Sequence, residues 1–164
     1  MEIHEIQLKS RILRKGHTYP QFEVGQVFKH HWGRTINSGD NSLFTTLTLS
    51  YNPLYFNAEY ARSNNHPGIV INPLLVLNTV FGLSVEDLSE GGGPFLGIDN
   101  LTFHQDVYEN DTLTASSTVL SKRLSTSHQG FAIVAWHTSG FNQHNECVID
   151  FHRNNLVRIT AEKI

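Results

Sequence analysis

The spacing of apolar residues changes period several times along this chain, and each change marks an element. Between Phe22 and Ile36, after a turn signal at Gly25, Val27, Lys29 and His31 alternate with Phe28, His30 and Trp32, which predicts a first strand or hairpin. The polar group Asn37-Ser-Gly-Asp40 then offers capping side chains ahead of residues 41–49, where Leu43, Phe44 and Leu47 fall at helical spacing. A short helix is predicted there, with a strand as the competing reading because of the β-branched Thr45, Thr46 and Thr48. Pro53 stops any regular element, and Asn57 caps a predicted helical turn that ends at Arg62.

The longest apolar run follows Asn64-Asn-His-Pro-Gly68. Asn72 suits an N-cap and Pro73 the first helical position, so one long helix is predicted over residues 73–88, closed by the breaker Gly91-Gly-Gly-Pro94. Its nearly unbroken apolar surface requires burial on most sides. The rest alternates as strands do, over residues 95–104, 111–123, 130–140 and 146–153, with turns at Tyr108-Glu-Asn-Asp111 and Asn142-Gln-His-Asn145. One buried helix beside a run of long antiparallel strands is an α+β layout in which the sheet wraps the helix. Residues 1–20 read as an irregular arm and 21–164 as one domain.

Composition narrows the function classes. A chain of 164 residues supports one core without staples, and a formal net charge of -3 is too weak a field for a nucleic-acid surface. The single cysteine, Cys147, excludes an internal disulfide and reads as an inert strand thiol. With no apolar stretch suited to export or to spanning a bilayer, the expectation is a cytoplasmic protein without membrane contact. The 10 histidines include no pair at i, i+4 spacing, and no second cysteine joins them, so neither a metal site nor a cofactor is expected.

Several segments, in order, carry a family resemblance. Trp32-Gly-Arg-Thr-Ile-Asn-Ser-Gly-Asp40, Asn52-Pro-Leu-Tyr-Phe-Asn-Ala-Glu-Tyr-Ala61, Gly68-Ile-Val-Ile-Asn-Pro-Leu-Leu75, the turn region Phe103–Leu113 and Asn142-Gln143 together resemble the MaoC-like dehydratases, which include the (R)-specific enoyl-CoA hydratases. The likeness runs over residues 22–158. It implies a single hot-dog fold, an antiparallel sheet wrapped around one long central helix, acting on an acyl-CoA thioester as a homodimer or larger assembly. The Gly33–Leu47 and Thr46–Asn57 stretches are further similar to the branch of the family linked to branched C5 dicarboxylic acyl-CoAs such as mesaconyl-CoA or itaconyl-CoA.

The same resemblance exposes a departure. Family hydratases place an Asp and a His on the signature loop, where they activate water; here the frame reads Leu49-Ser-Tyr-Asn-Pro-Leu-Tyr55, with Ser50 in place of the Asp and Tyr55 in place of the His. A serine hydroxyl is no general base without a base of its own, and a phenol donates more readily than it accepts. The water-handling candidates are therefore a polar cluster of Asp40, Ser50, Asn52, Tyr55 and His66, with capping the stronger reading for Asp40 and turn formation for Asn52. The Asn72 helix start is the candidate for holding the thioester oxygen, and Arg34, Arg62 and His66 are the local partners for a substrate carboxylate. Arg153, Arg158 and the Lys122-Arg123 pair offer charges for carrier phosphates, although solvated strand ends are commoner.

Three functions stay open on this basis. The first is a hydro-lyase adding or removing water at an enoyl-CoA. The others are a catalytically silent acyl-CoA-binding subunit, motivated by the missing Asp and His, and a hot-dog thioesterase that uses Asn72.

Overall fold

The computed structural model describes residues 16–160, so most of the arm expected at 1–20 lies outside the described residues. Six strands form one antiparallel sheet: β1 (Val27–Lys29), β2 (Arg34–Thr35), β3 (Phe95–Phe103), β4 (Thr112–Leu124), β5 (Phe131–Phe141) and β6 (Cys147–Arg158). The order is β1-β4-β5-β6-β3, with β2 also on β4. Among the described residues three α-helices accompany them: α1 (Ser38–Leu47), α2 (Ala58–Ser63) and α3 (Pro73–Leu88). The predicted long helix and the four long strands are all present.

The first segment, read as a strand or hairpin, forms two short strands that do not pair with each other. Val27–Lys29 pairs with Thr118–Ser116, and Arg34–Thr35 with Leu113–Thr112, so β1 and β2 run in one direction along the same neighbour. What separates them is burial of a single side chain. His30 turns inward, its Nδ1 2.6 Å from Asp87 Oδ2 and its Nε2 2.9 Å from Ser117 Oγ, while Gly33 carries the chain back to β4.

The helical reading of residues 41–49 prevails over the strand because Asn37 and Asp40 form a reciprocal capping box at the start of α1. The inward face of α1 is polar, however. Asn41 and Thr45 are buried, whereas Leu43 and Leu47 are 62% and 73% exposed.

Helix α3 starts where the sequence placed it, with Asn72 as N-cap and Pro73 as the first helical residue. Val76, Val80, Ser84 and Leu88, spaced by one turn, face the sheet. The approach is closest at Gly140 on β5, where an added Cβ would lie 2.5 Å from Val80 Cγ2 and 2.8 Å from Ile149 Cγ2. One apolar cluster joins Val76 and Val80 to Ile36, Leu113, Ile149 and Phe151; a second joins Leu88 to Phe22, Val134 and Trp136. Each such side chain contributes about 1.5–3 kcal/mol by leaving water.

Arg153, one of the charges considered for carrier phosphates, is instead fully buried on β6. Its guanidinium donates to Ser84 Oγ (2.6 Å), Ser89 Oγ (2.8 Å) and Asn155 Oδ1 (3.2 Å) and stacks over Phe81. Burial lowers its pKa to about 10. It fixes the C-terminal half of α3 to the sheet.

Candidate functional site

The signature loop is shaped by local capping. Leu49 takes a left-handed backbone (φ 55°), and Ser50 N–H donates back to Thr45 O at 3.0 Å, which turns the chain sharply out of α1. A leucine in that region costs about 1–2 kcal/mol, held here by the surrounding bonds. Asn52 Oδ1 accepts from Leu54 N at 3.1 Å and starts a single 3-10 turn, Pro53–Tyr55; Asn57 Oδ1 then accepts from Tyr60 N at 3.1 Å and starts α2. These two asparagines deliver Tyr55 inward.

One buried residue ties this loop to the long helix. Asn41 Nδ2 donates to Tyr55 O (3.0 Å) and Val70 O (3.1 Å), and its Oδ1 accepts from Asn72 N (2.8 Å). The segment entering α3 is fastened on its other side by Ile71 N–H to Val107 O (2.9 Å) and a Val70–Tyr108 bridge. Asp111 holds the β3–β4 turn by accepting Tyr108 N at 2.8 Å, while Gln143 Nε2 donates to the other Asp111 oxygen at 2.7 Å.

Between these segments lies a cleft of about 350 Å³. Asn41 and Ser42 of α1, Tyr55, Arg62 of α2, Ile69 and Ile71 ahead of α3, and Tyr108 and Glu109 of the turn line it. A second hollow of about 150 Å³, bounded by Val76, Phe103 and Asp106, shares Tyr55 and Ile71 with the first. Tyr55 thus stands between the two.

The eight residues predicted for the site separate into two groups. Tyr55 and Arg62 line the cleft, and His66 borders it through Tyr108, its Nδ1 3.1 Å from the Tyr108 hydroxyl and 3.4 Å from Asp106 Oδ2. The other five are occupied elsewhere. Asp40 accepts from Asn37 N and from Arg34 Nη2 (2.8 Å), so Asp40 and Arg34 serve the α1 cap. Ser50 Oγ lies 3.1 Å from Thr48 Oγ1, and Asn52 is a cap.

At the start of α3, Asn72 absorbs the free amides: Leu74 N–H goes to its Oδ1, and Leu75 and Val76 N–H to its carbonyl. Pro73 has no N–H, so this helix start keeps no backbone donor for a thioester oxygen. The spare donor there is Asn72 Nδ2, buried without a hydrogen-bond partner.

Among the cleft residues that were not foreseen are Asn41, Tyr108 and Glu109. Asn41 reads in sequence as one more polar residue near a cap, while Tyr108 and Glu109 read only as a turn. No local signal announces that the β3–β4 turn folds against the helix start; that follows from the sheet register. The Tyr108 phenol is pushed above its ordinary value, first by burial and then by the Asp106 carboxylate, so it stays a proton donor. Cys147, half-buried, has its thiol pushed up by burial and the nearby Asp150 charge, which fits an inert thiol. Among the described residues no group of three His, Cys, Asp or Glu side chains is arranged to hold a metal ion. Among them, too, no helix is long and apolar enough to cross a membrane.

A long helix held in a curved antiparallel sheet, with a cleft where the signature loop meets the helix start, defines an α+β hot-dog protein. Comparison with known proteins agrees. A Mycobacterium tuberculosis protein described as a double hot-dog superposes with a TM-score of 0.78 at 20% identity, over 91% of this chain and 46% of its own. A putative MaoC domain dehydratase from Chloroflexus aurantiacus superposes with a TM-score of 0.85 at 33% identity, covering 91% of this chain and 42% of that one.

The family model for mesaconyl-CoA hydratase matches residues 4–162, and the chain belongs to that family. Relatives include the mesaconyl-CoA hydratase of Haloarcula marismortui, 34% identical over 144 residues, and the beta-methylmalyl-CoA dehydratase of Chloroflexus aurantiacus, 34% identical over 143. In each case the match takes in 87% of this chain and 40% of the relative, so the chain spans about two fifths of their length.

Proposed function

We propose that this chain provides a hydro-lyase site that adds water to, or removes it from, a branched short-chain enoyl-CoA, with a C5 dicarboxylic thioester as the substrate class. The observation that carries this reading is the cleft itself: apolar walls from Ile69 and Ile71, a phenol at Tyr55 and a cation at Arg62. An acyl chain needs the first, a thioester oxygen a hydrogen-bond donor, and a distal carboxylate a positive charge. Since the amides at the start of α3 are engaged, Tyr55 is the donor we assign to the thioester oxygen. Its hydroxyl can stabilise the enolate-like charge that develops there.

Relatives named as mesaconyl-CoA hydratase and beta-methylmalyl-CoA dehydratase support both directions of this reaction. Two exposed apolar surfaces support an assembly with a second hot-dog unit. Strand β3 is a sheet edge with Phe95 (51% exposed), Leu96 (48%) and Phe103 (41%), and α1 turns Leu43 and Leu47 outward.

A specific observation favours a second reading, an acyl-CoA-binding unit without turnover of its own: residues 49–57 carry no carboxylate or imidazole, and the helix start keeps no free backbone amide. The deciding experiment follows loss of the conjugated thioester absorbance with mesaconyl-, itaconyl- and crotonyl-CoA, beside calorimetric binding of the saturated analogues. Turnover of a C5 diacid thioester, abolished or reduced at least about 100-fold in Tyr55→Phe, supports the hydro-lyase. Binding with no turnover of any thioester moves the assignment to the silent unit.

A further inference from the structure

The signature loop brings no base to the cleft, yet hydration requires a group that takes a proton from water and returns one to carbon. The titratable side chains lining the cleft and its neighbouring hollow are Tyr55, Arg62, Tyr108, Glu109 and Asp106. Two of these, Tyr108 and Asp106, meet one imidazole, and of the two only Tyr108 lines the cleft itself. Tyr108 has its hydroxyl 3.1 Å from His66 Nδ1, and that nitrogen is 3.4 Å from Asp106 Oδ2.

The phenol is also well supported. Tyr108 N–H is held by Asp111, which Gln143 braces in turn, and residue 108 is bridged to Val70, two residues before Asn72. His66 is tied to the end of α2 by its N–H to Ala61 O at 3.0 Å. Two segments 42 residues apart in sequence are thus brought together at the cleft wall.

Resting on the hydro-lyase reading, we propose that Tyr108 is the acid–base residue of this cleft, with His66 and Asp106 as its positioning partners. In the hydration direction a water O–H bond breaks. Its proton passes to the Tyr108 oxygen as the phenol proton moves to His66 Nδ1, and the hydroxide forms the new C–O bond at Cβ. The π electrons move to the thioester oxygen. The imidazolium, held by the Asp106 carboxylate, then returns its proton through Tyr108 to Cα, so the enzyme ends in its starting state and the product carries one added H and one added OH. Because a single phenol handles both protons, the addition is syn. The phenol's raised pKa suits this role, since it is protonated at rest and ionises only in passing.

The charged groups around the pair are Asp106, Glu109 and Asp111 of the turn and Arg62 of α2. The test uses the full chain and the thioester that it turns over. Tyr108→Phe is expected to lower kcat about 100-fold or more with KM and saturated-thioester binding within about threefold, and His66→Gln to lower kcat at least about tenfold. Asp106→Asn should lower kcat at least about threefold with KM within about threefold, because the imidazolium formed in passing loses its carboxylate. Deuterium from D2O should enter syn to the new hydroxyl.

Circular dichroism melts check that each variant is folded, and if Tyr108→Phe fails to fold, the kcat of His66→Gln and the stereochemistry decide. Wild-type turnover with Tyr108→Phe and His66→Gln both within about threefold, or with anti addition, overturns this proposal alone. Binding without any wild-type turnover overturns it together with the hydro-lyase reading.

Discussion

Asn41 and Asn72, on different helices, are joined by a buried 2.8 Å hydrogen bond from the Asn72 backbone to the Asn41 side chain. The same side chain satisfies Tyr55 O and Val70 O, so three backbone groups from the loop and the helix approach depend on it. Replacing Asn41 with Ala leaves all three without that partner in a buried setting and should destabilise the fold by about 3 kcal/mol. Urea unfolding measures the loss, and amide exchange should show added opening at residues 70–72 beyond the global effect. An Asn41→Ala protein as stable as wild type would mean that water or a shifted loop replaces these bonds.

The contact between Gly140 and Val80 sets the distance from helix to sheet. A methyl group at Gly140 meets Val80 at 2.5 and 3.0 Å and Ile149 at 2.8 Å, with buried walls on both sides. Gly140→Ala should therefore cost about 1–3 kcal/mol by overpacking. Gly82, within α3, has nothing within 4 Å of its would-be Cβ, and Gly82→Ala should stabilise by about 0.5–1 kcal/mol through helix propensity. Thermal melts of the two variants should move in opposite directions.

The long elements were legible in the sequence because each carries its own periodicity and punctuation. Asn72-Pro73 and the glycines at 91–93 bound α3, and the alternation from Phe95 onward gives the strands. Of the candidate side chains, Tyr55 and Arg62 are the two that line the cleft, although by type Tyr55 could equally have been a core aromatic. Asp40 was a candidate by type with capping as its stronger reading, and its oxygens do go to Asn37 N and Arg34, a choice set by α1 being a helix. Tyr108 was hidden because its place depends on strand register: the bridge to Val70 and the Ile71 N–H bond to Val107 O carry the turn to the cleft wall. The outward Leu43 and Leu47 contradict a simple amphipathic reading, since the inner positions of α1 are used for Asn41 and Thr45.

Acid should weaken this fold in two separable windows. Burial pushes the His30 imidazole below its ordinary 6.5; Asp87, bonded to it, restores part of that, and the Arg153 and His31 charges act against it. A base with a depressed folded pKa leaves the unfolded chain binding more protons, so stability falls as pH drops through about 6.5 and the loss is complete below the folded value. Asp150 acts lower. Burial alone would raise its carboxyl, but hydrogen bonds and charge from His137 and His104 outweigh that and leave it below 3.8. Its contribution is therefore full above about pH 5 and is lost as pH falls through the folded value. In urea titrations across pH, His30→Asn should flatten the upper limb and Asp150→Asn the lower one. A single limb insensitive to both substitutions would contradict this assignment.

The two candidate arginines make a sharp test of which cation reads the substrate. Arg34 is paired at 2.8 Å with Asp40, outside the cleft, whereas Arg62 lines the cleft and shares its charge with Glu59 at 2.7 Å, an exposed neighbour on the same helix turn. An exposed i, i+3 pair is weak and easily exchanged for a substrate carboxylate, so Arg62 is available in a way that Arg34 is not. Arg62→Gln should raise KM for a C5 dicarboxylic thioester about tenfold or more, with kcat within about threefold, because the distal carboxylate is bound alike in ground and transition states. The same substitution should leave KM for crotonyl-CoA, which has no distal carboxylate, within about twofold. Arg34→Gln should instead lower stability slightly and leave both KM values unchanged. An equal rise for both thioesters would show Arg62 to be holding the cleft in shape instead of reading the acid.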